Sequence, residues 1–304
     1  MGDVHMWFIF AILTTLSWAF ADLFYKKGAD PQEKSSHIRT VIMVGLVMGA
    51  HAIIYWIVRG VSFSIMDVVL YLPVSFLYIL SMAIGYFGLR YIALSLSSPV
   101  QNSSGAITAI LIFIFFSHSL RPIEVSAIVI ITAGIIMLAV IERRADLKLK
   151  ALTPADKKYV SSFTALIFPV LYCIIDGLGT FTDAIYLDEM SLIGEDQALL
   201  AYEFTFLAVA VIALIWLKVK GEKFVIWHEK DRGVAALFET AGQFFYVYAM
   251  ARNAIIVAPL IASYSVFSVL LSRIFLKEKL NRAQYAVISA VLFGILLLAI
   301  SEVV

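Results

Sequence analysis

Apolar stretches of about twenty residues recur along the chain and constrain its fold more than any other feature. They lie near residues 5–25, 38–58, 68–89, 92–117, 123–141, 159–181, 197–217, 233–250, 254–275 and 283–301. A helix of roughly 20 apolar residues crosses the hydrocarbon core of a bilayer with its backbone hydrogen bonds made internally. The sequence therefore predicts an all-α integral membrane protein with ten transmembrane helices. The fourth stretch is predicted as one helix with a polar beginning, either continuous or broken, because Pro99 and residues 101–104 interrupt it.

The composition excludes an ordinary water-soluble fold. Of the 304 residues, 62% are hydrophobic and 15% are charged, and the mean hydropathy is +0.94. A soluble domain usually carries about a quarter charged residues. The net charge of +1 provides no basic surface for nucleic acid, and the single cysteine, Cys173, excludes an intramolecular disulfide.

The lysines and arginines predict the orientation, because cytoplasmic loops collect them. With ten crossings, 20 of the 23 basic residues fall on one side, and the other side holds Arg59, Arg121 and Arg252. We therefore expect the segment 142–158 to be cytoplasmic and both termini to lie outside. The expected location is the plasma membrane, which in a Gram-negative bacterium is the inner membrane.

The chain repeats itself at an offset of 160 residues. The offset matches Tyr86 with Tyr246, Pro99 with Pro259, Ser103 with Ser263, Gly134 with Gly294 and Glu142 with Glu302. Each copy holds five predicted crossings, an odd number, so the second copy must be inverted relative to the first. We predict a first five-helix repeat over 1–141, a cytoplasmic linker over 142–158 and a second five-helix repeat over 159–304.

Several features of the sequence fit one known pattern. They are the two five-helix halves, the pair Trp18-Ala19 in the first helix, Pro99 and Pro259 early in helices four and nine, and the sequence LKEKL at 276–280. Together they resemble the drug/metabolite transporter superfamily, specifically its ten-helix EamA-like members. The first-half sequence SHSL at 117–120 departs from the Gly-Glu-Arg-Leu turn often found there. The resemblance implies proton-coupled or exchange-coupled movement of small organic solutes, and it does not identify the solute.

Inverted repeats are typical of secondary transporters, because two halves that exchange conformations convert an inward-open state into an outward-open one. We therefore predict a secondary active transporter that moves a small neutral, zwitterionic or cationic organic metabolite by alternating access, coupled to protons or to exchange. Two alternatives stay open: a proton-coupled exporter of cationic drugs, and a membrane-embedded enzyme or scaffold without transport. The sequence holds no GxSxG, HExxH, CxxC or P-loop motif, which argues against an enzyme.

Four acidic residues lie within predicted spans: Asp22, Asp176, Glu203 and Glu239. Ionisable groups in hydrocarbon cost about 2.5–3.5 kcal/mol on insertion scales, so they are functional candidates. Glu203 and Glu239 lie roughly 10 Å inside the membrane, and burial disfavours their charged form. We predict that both couple transport to protons or cations, with a single interhelical hydrogen bond as the alternative. Asp22 and Asp176 are candidates for the same role, or they reach the lipid headgroups instead.

Polar and aromatic side chains predict the walls of a substrate site. Gln243 and Tyr246 share a helix face with Glu239. The predicted substrate-binding residues are Trp18, Tyr78, Tyr86, Asn102, Gln243, Tyr246 and Tyr264. The alternative is packing, which aromatic stripes serve more often than binding. Because the charges within the spans are acidic, an anionic substrate is disfavoured.

The remaining features predict few partners. No cofactor is expected, and the five histidines lack metal-ligand spacing. His51 is interpreted as a packing residue with its hydrogen bonds satisfied, and a proton relay is the alternative. Gly45 and Gly49 form a small-xxx-small pattern that predicts close contact of helix two with a neighbouring helix or a second protomer. The expected partners are a small-molecule substrate and the lipid bilayer, with a monomer or weak homodimer as the assembly.

Overall fold

The computed structural model describes residues 6–118, 120–152, 166–278 and 280–301, and these residues form helices without any strand. The helices are α1 (Met6–Gly28), α2 (Ser36–Arg59), α3 (Ile65–Gly88), α4 (Leu94–Asn102), α5 (Ser104–Phe115), α6 (Pro122–Leu152), α7 (Ile167–Ala184), α8 (Glu195–Val219), α9 (Lys230–Ala262), α10 (Tyr264–Phe275) and α11 (Arg282–Ser301). A short π-helix, Ile185–Glu189, continues α7. The predictions that concern Ser119, Lys279 and Glu302 fall outside the described residues.

Eight helical stretches in the described part of the chain are long and apolar enough to cross a membrane. One of them, Lys230–Phe275, has 46 residues, which is about 69 Å of helix against about 30 Å of hydrocarbon. Asn253 divides this stretch, because its backbone (φ −166°, ψ 70°) is not helical. A shorter apolar helix, Arg282–Leu298, follows. The prediction of an all-helical, multi-pass membrane protein is confirmed, and the count of ten crossings stays a prediction.

Two helices are interrupted at equivalent positions. The stretch predicted as a single fourth helix consists of α4 and α5, joined by Ser103 (φ −62°, ψ −9°). Ser263 (φ −65°, ψ −7°), which is 160 residues further along, joins α9 to α10 in the same way. The small ψ tightens the chain into a 3-10 turn, in which Ala106 and Val266 each donate their backbone N–H to the serine three residues before.

The most extensive helix contacts join the two halves of the chain. α1 packs on α9, α2 on α8, α3 on α7 and α6 on α11. At the last interface, Gly134 lies against the side chain of Val291, and Gly294 lies against that of Ile131. An offset of 160 residues converts one contact into the other. Reciprocal contacts of this kind are typical of two units related by a two-fold axis.

The glycines of the small-xxx-small pattern bring α2 onto α8. A Cβ atom at Gly45 would lie 2.5 Å from Cβ of Ala210, and one at Gly49 would lie 2.7 Å from the side chain of Leu207. This pair of glycines is therefore used within the chain. The close contact also places the next turn of α2, which carries His51, beside the turn of α8 that carries Glu203.

The first part of the predicted linker 142–158 is a continuation of α6, and its role as a cytoplasmic linker stays a prediction. α6 continues as a helix to Leu152, because the residues after 141 are mostly Glu, Arg, Ala, Leu and Lys, which are strong helix formers. The remainder of the linker, residues 153–158, and the start of the predicted second repeat, residues 159–165, lie outside the described residues.

Candidate substrate cavity

A cavity with an empty volume of about 850 Å³ lies among helices from both halves of the chain. Its walls come from α1, α3, α4, α5, α7, α8, α9 and α10. On α1 and α3 the lining residues fall within 18–25 and 78–89, the C-terminal halves of those helices. The cavity therefore lies nearer the end of the bundle that carries Lys26 and Arg90, which is the side predicted to be cytoplasmic.

All seven residues predicted to bind substrate line this cavity: Trp18, Tyr78, Tyr86, Asn102, Gln243, Tyr246 and Tyr264. The indole of Trp18 lies directly on Gly242, where a Cβ atom would collide with it. The Trp18 ring is 5.2 Å from the ring of Tyr246 and 5.8 Å from that of Tyr264. The hydroxyl oxygens of Tyr78 and Tyr246 are 2.5 Å apart. The fold thus brings these side chains together, and their role in binding stays a prediction.

Three of the four predicted acidic residues, Asp22, Asp176 and Glu239, belong to the cavity wall. Asp22 is 8% exposed, and its Oδ2 accepts hydrogen bonds from the hydroxyls of Ser98 at 2.6 Å and Ser268 at 2.8 Å. Its side chain is therefore held inside the bundle. The alternative that Asp22 reaches the lipid headgroups is wrong.

The other two acids have comparable partners. Asp176 accepts hydrogen bonds from the hydroxyls of Ser104 at 2.8 Å and Ser81 at 3.4 Å. Glu239 accepts a hydrogen bond from Tyr25 at 3.3 Å. Hydroxyl donors stabilise a charged carboxylate. No Lys, Arg or His in the described part of the chain lines the cavity. The electrostatic potential in the cavity is therefore negative when the three carboxyl groups are ionised.

Glu203, the fourth acid, lies outside the cavity. Its side chain is fully buried between α2 and α8, and both of its carboxylate oxygens are 2.9 Å from Nδ1 of His51. The imidazole of His51 is thus the hydrogen-bond partner of Glu203, and its role, packing or proton relay, stays a prediction. The two residues are 152 positions apart, and only the packing of α2 on α8 reveals the pair.

Several further cavity residues were not named as binding residues, although all but Tyr202 belong to polar stripes or clusters that the sequence shows. They include Tyr25, Gln101, Ser104, Tyr172, Thr180 and Tyr202. Helical spacing puts Tyr25 on the polar stripe of Asp22 and Tyr172 on that of Asp176, and residues 101–104 form a polar cluster beside Pro99. Tyr202 carries no comparable signal, because its neighbour Glu203 points to a different helix.

A network around Asp183 ties helices together at the end of the cavity away from Lys26 and Arg90. The carboxylate of Asp183 accepts hydrogen bonds from the hydroxyls of Tyr71 and, at 3.5 Å, Tyr78. Asp183 is fully buried. The sequence placed it beyond the end of helix six near residue 181, whereas the helical segment continues through the π-helix to Glu189. The network joins α3, α7 and, through Tyr246, α9.

Two cavity amides are left without a hydrogen-bond partner among the described residues. They are the buried Nε2 atoms of Gln101 and Gln243, both in the cavity wall. An unpaired buried donor costs about 1–3 kcal/mol, so a bound molecule with an acceptor at this point would gain affinity. No group of three or more metal-ligating side chains was found in the described residues.

Comparisons with known proteins identify two copies of one family in this chain. The EamA-like transporter family matches residues 5–140 and again residues 163–300. A search of curated proteins gave no match. One solved structure, titled "Crystal structure of protein", has 14% sequence identity, covers 97% of both chains and superimposes with a TM-score of 0.66. At that identity the similarity shows the fold alone.

Proposed function

The chain belongs to the EamA-like transporter family, and on that premise we propose that it is a secondary active transporter for small organic cations, zwitterions included. The solute binds in the cavity between the halves and crosses by alternating access. Coupling is to protons or to exchange for another solute. The direction of movement follows from the gradients and is not encoded in the cavity.

The chemistry of the cavity wall is the reason for proposing a cationic solute. Three carboxylates, from Asp22, Asp176 and Glu239, face a space that no described basic side chain lines. The wall also contains Trp18 and seven tyrosines, which are Tyr25, Tyr78, Tyr86, Tyr172, Tyr202, Tyr246 and Tyr264. A cation within about 6 Å of an aromatic face gains roughly 0.5–2 kcal/mol. The same carboxylates repel an anion when they are ionised.

The two unpaired amides indicate that the solute also carries a hydrogen-bond acceptor. The N–H groups of Gln101 and Gln243 need an acceptor, and the carboxylates need a positive charge. A molecule with a cationic nitrogen at one end and a hydroxyl, carbonyl or carboxylate oxygen at the other satisfies both. Choline and zwitterionic amino acids have this arrangement, whereas a sugar phosphate does not.

Repetition within the fold supports alternating access. The turns at Ser103 and Ser263 have the same backbone geometry, and the contacts of Gly134 and Gly294 are reciprocal. Two inverted halves with these equivalences could exchange conformations and so reverse the open side. The Tyr71–Asp183 contact then belongs to the closed end of the present conformation, and it must break when that end opens.

A binding screen tests the choice of solute. We expect choline and related amines to raise the melting temperature of the purified protein, since a ligand at 100 times its dissociation constant stabilises by about 2.7 kcal/mol. The neutral analogue of choline, with carbon in place of nitrogen, is the matched control and should stabilise far less. Stabilisation by carboxylate or phosphate anions, with none by amines, would refute a cation site. Compounds that stabilise are then tested for counterflow in liposomes.

A further inference from the structure

A line of polar side chains crosses the interface of α2 with α8 and α9, outside the substrate cavity. On α2 it consists of His51, Tyr55 and Arg59, which are four residues apart and share a helix face. The hydroxyl of Tyr55 donates to Asp196 at 2.9 Å and lies 2.7 Å from the hydroxyl of Tyr248. Tyr248 also donates to Asp196, at 2.5 Å. Polar groups therefore lead from the end of α2 to His51.

The inner end of this line is the His51–Glu203 pair. The Glu203 side chain is 0% exposed, whereas that of His51 is 30% exposed. Glu203 lies eight residues into α8, after its first residue Glu195, which corresponds to a depth of about 12 Å. A lone carboxylate at that depth costs several kcal/mol, and a hydrogen-bonded partner of opposite charge reduces this cost. With one shared proton the pair has no net charge, and it can accept one more.

Helices α2, α8 and α9 contribute the nearest groups, among them Phe244, whose ring is 6.0 Å from that of His51, and α1 and α3 contact the neighbours of the pair. Ionisable neighbours are Tyr55 and Arg59 on α2, Asp196 and Tyr202 on α8, and Tyr248 on α9. α1 contributes the ring of Phe10, which is 5.8 Å from that of Tyr248. α3 contributes Met82, whose sulfur accepts a hydrogen bond from Tyr202 at 3.2 Å. Among the residues that the structure describes, only His51 lies within hydrogen-bond distance of the Glu203 carboxylate.

α8 connects this pair to the cavity. Consecutive helix residues point about 100° apart, so Glu203 faces α2 while Tyr202 faces the cavity. A change in the charge of the pair would alter the free energy of packing α2 on α8, because a buried charge without a partner is costly. Because α8 carries a cavity wall residue, that change reaches the substrate site without a proton entering it.

We propose that His51 and Glu203 form a proton-binding site separate from the substrate cavity, reached along Tyr55, Asp196 and Tyr248. One proton binds at the pair and is released in each transport cycle, while Asp22, Asp176 and Glu239 hold the cationic solute. The proposal rests on the proposed function for its coupling role. The proton-binding step itself can be measured without any solute.

Infrared difference spectroscopy of the reconstituted protein tests that step directly. Between about pH 5 and pH 9, a range that spans histidine titration, we expect a protonated-carboxyl band that Glu203→Gln abolishes. His51→Gln should move the pH at which this band changes. His118→Gln is the matched control, because it removes another His–Glu pair, with Glu189 at 2.6 Å, away from this interface. A spectrum that neither Glu203→Gln nor His51→Gln alters would overturn the proposal.

Transport of labelled choline tests the coupling. In liposomes, Glu203→Gln should still exchange internal for external choline but should lose accumulation driven by a pH gradient. His118→Gln should do both, as the unsubstituted protein does. Gradient-driven accumulation at the unsubstituted level in both Glu203→Gln and His51→Gln would exclude a coupling role. Absence of any choline movement in the unsubstituted protein counts against the proposed function, while the infrared result still decides the proton site.

Discussion

Replacing Asp176 with asparagine is expected to lower the affinity for an organic cation about 30-fold or more. Truncating one partner of a buried charge pair costs about 2–5 kcal/mol, and 2 kcal/mol corresponds to roughly 30-fold. Asparagine has nearly the same shape, and its amide oxygen can accept a hydrogen bond from one of the two hydroxyls, Ser104 or Ser81, while its amide nitrogen donates to the other. The loss would therefore report the missing charge. Equilibrium binding of labelled choline to the purified variant measures it.

Glu189→Gln is the control for this prediction. Glu189 is also a partly buried carboxylate with a close partner, His118, but it does not line the cavity. Choline affinity in this variant should equal that of the unsubstituted protein. If Asp176→Asn bound choline as tightly as Glu189→Gln does, Asp176 would have no part in recognising the charge.

Gly45→Ala is expected to destabilise the protein strongly for so small a change. Its Cβ would lie 2.5 Å from Cβ of Ala210 and closer still to the carbonyl oxygen of Phe206. Backbone atoms of a helix cannot move aside locally, so α2 and α8 must separate. Overpacking of this kind costs about 1–3 kcal/mol or more. Thermal unfolding of the purified protein should show a clearly lowered midpoint.

Gly233→Ala provides the matched comparison within a helix. At that position a Cβ would meet only the terminal methyl of Met43, at 3.2 Å, and a flexible methionine can turn away. Its unfolding midpoint should stay near that of the unsubstituted protein. Equal midpoints for the two alanine variants would contradict the close α2–α8 contact, and with it the placement of His51 beside Glu203.

Much of the fold could be predicted because the bilayer imposes a simple rule on sequence. Uninterrupted apolar stretches identify helices such as α2 and α8, and the paired prolines Pro99 and Pro259 mark the two interrupted ones. The linker predicted after residue 141 stays a prediction, and its first part is helical because good helix formers continue α6 beyond the apolar residues. Composition alone does not reveal where such a helix ends.

The candidate site could also be predicted only in part from the sequence. Residues that share a helix face with an acid, such as Gln243 and Tyr246, could be predicted to line the cavity, since spacing along one helix is visible in the sequence. The partners of Asp183 and Glu203 could not. Tyr71 lies 112 positions from Asp183, and His51 lies 152 positions from Glu203. Contacts between helices so far apart in the chain depend on the packing of the whole bundle.

Access to one cavity residue from each face of the membrane tests alternating access most directly. Thr180, which is 9% exposed in the cavity wall, would be changed to cysteine after Cys173, the single native cysteine, is changed to serine. A membrane-impermeant maleimide is then added to sealed vesicles of both orientations. We expect labelling from both faces, slowed in each case by choline. Labelling from one face only, whatever solute or pH gradient is present, would contradict the account.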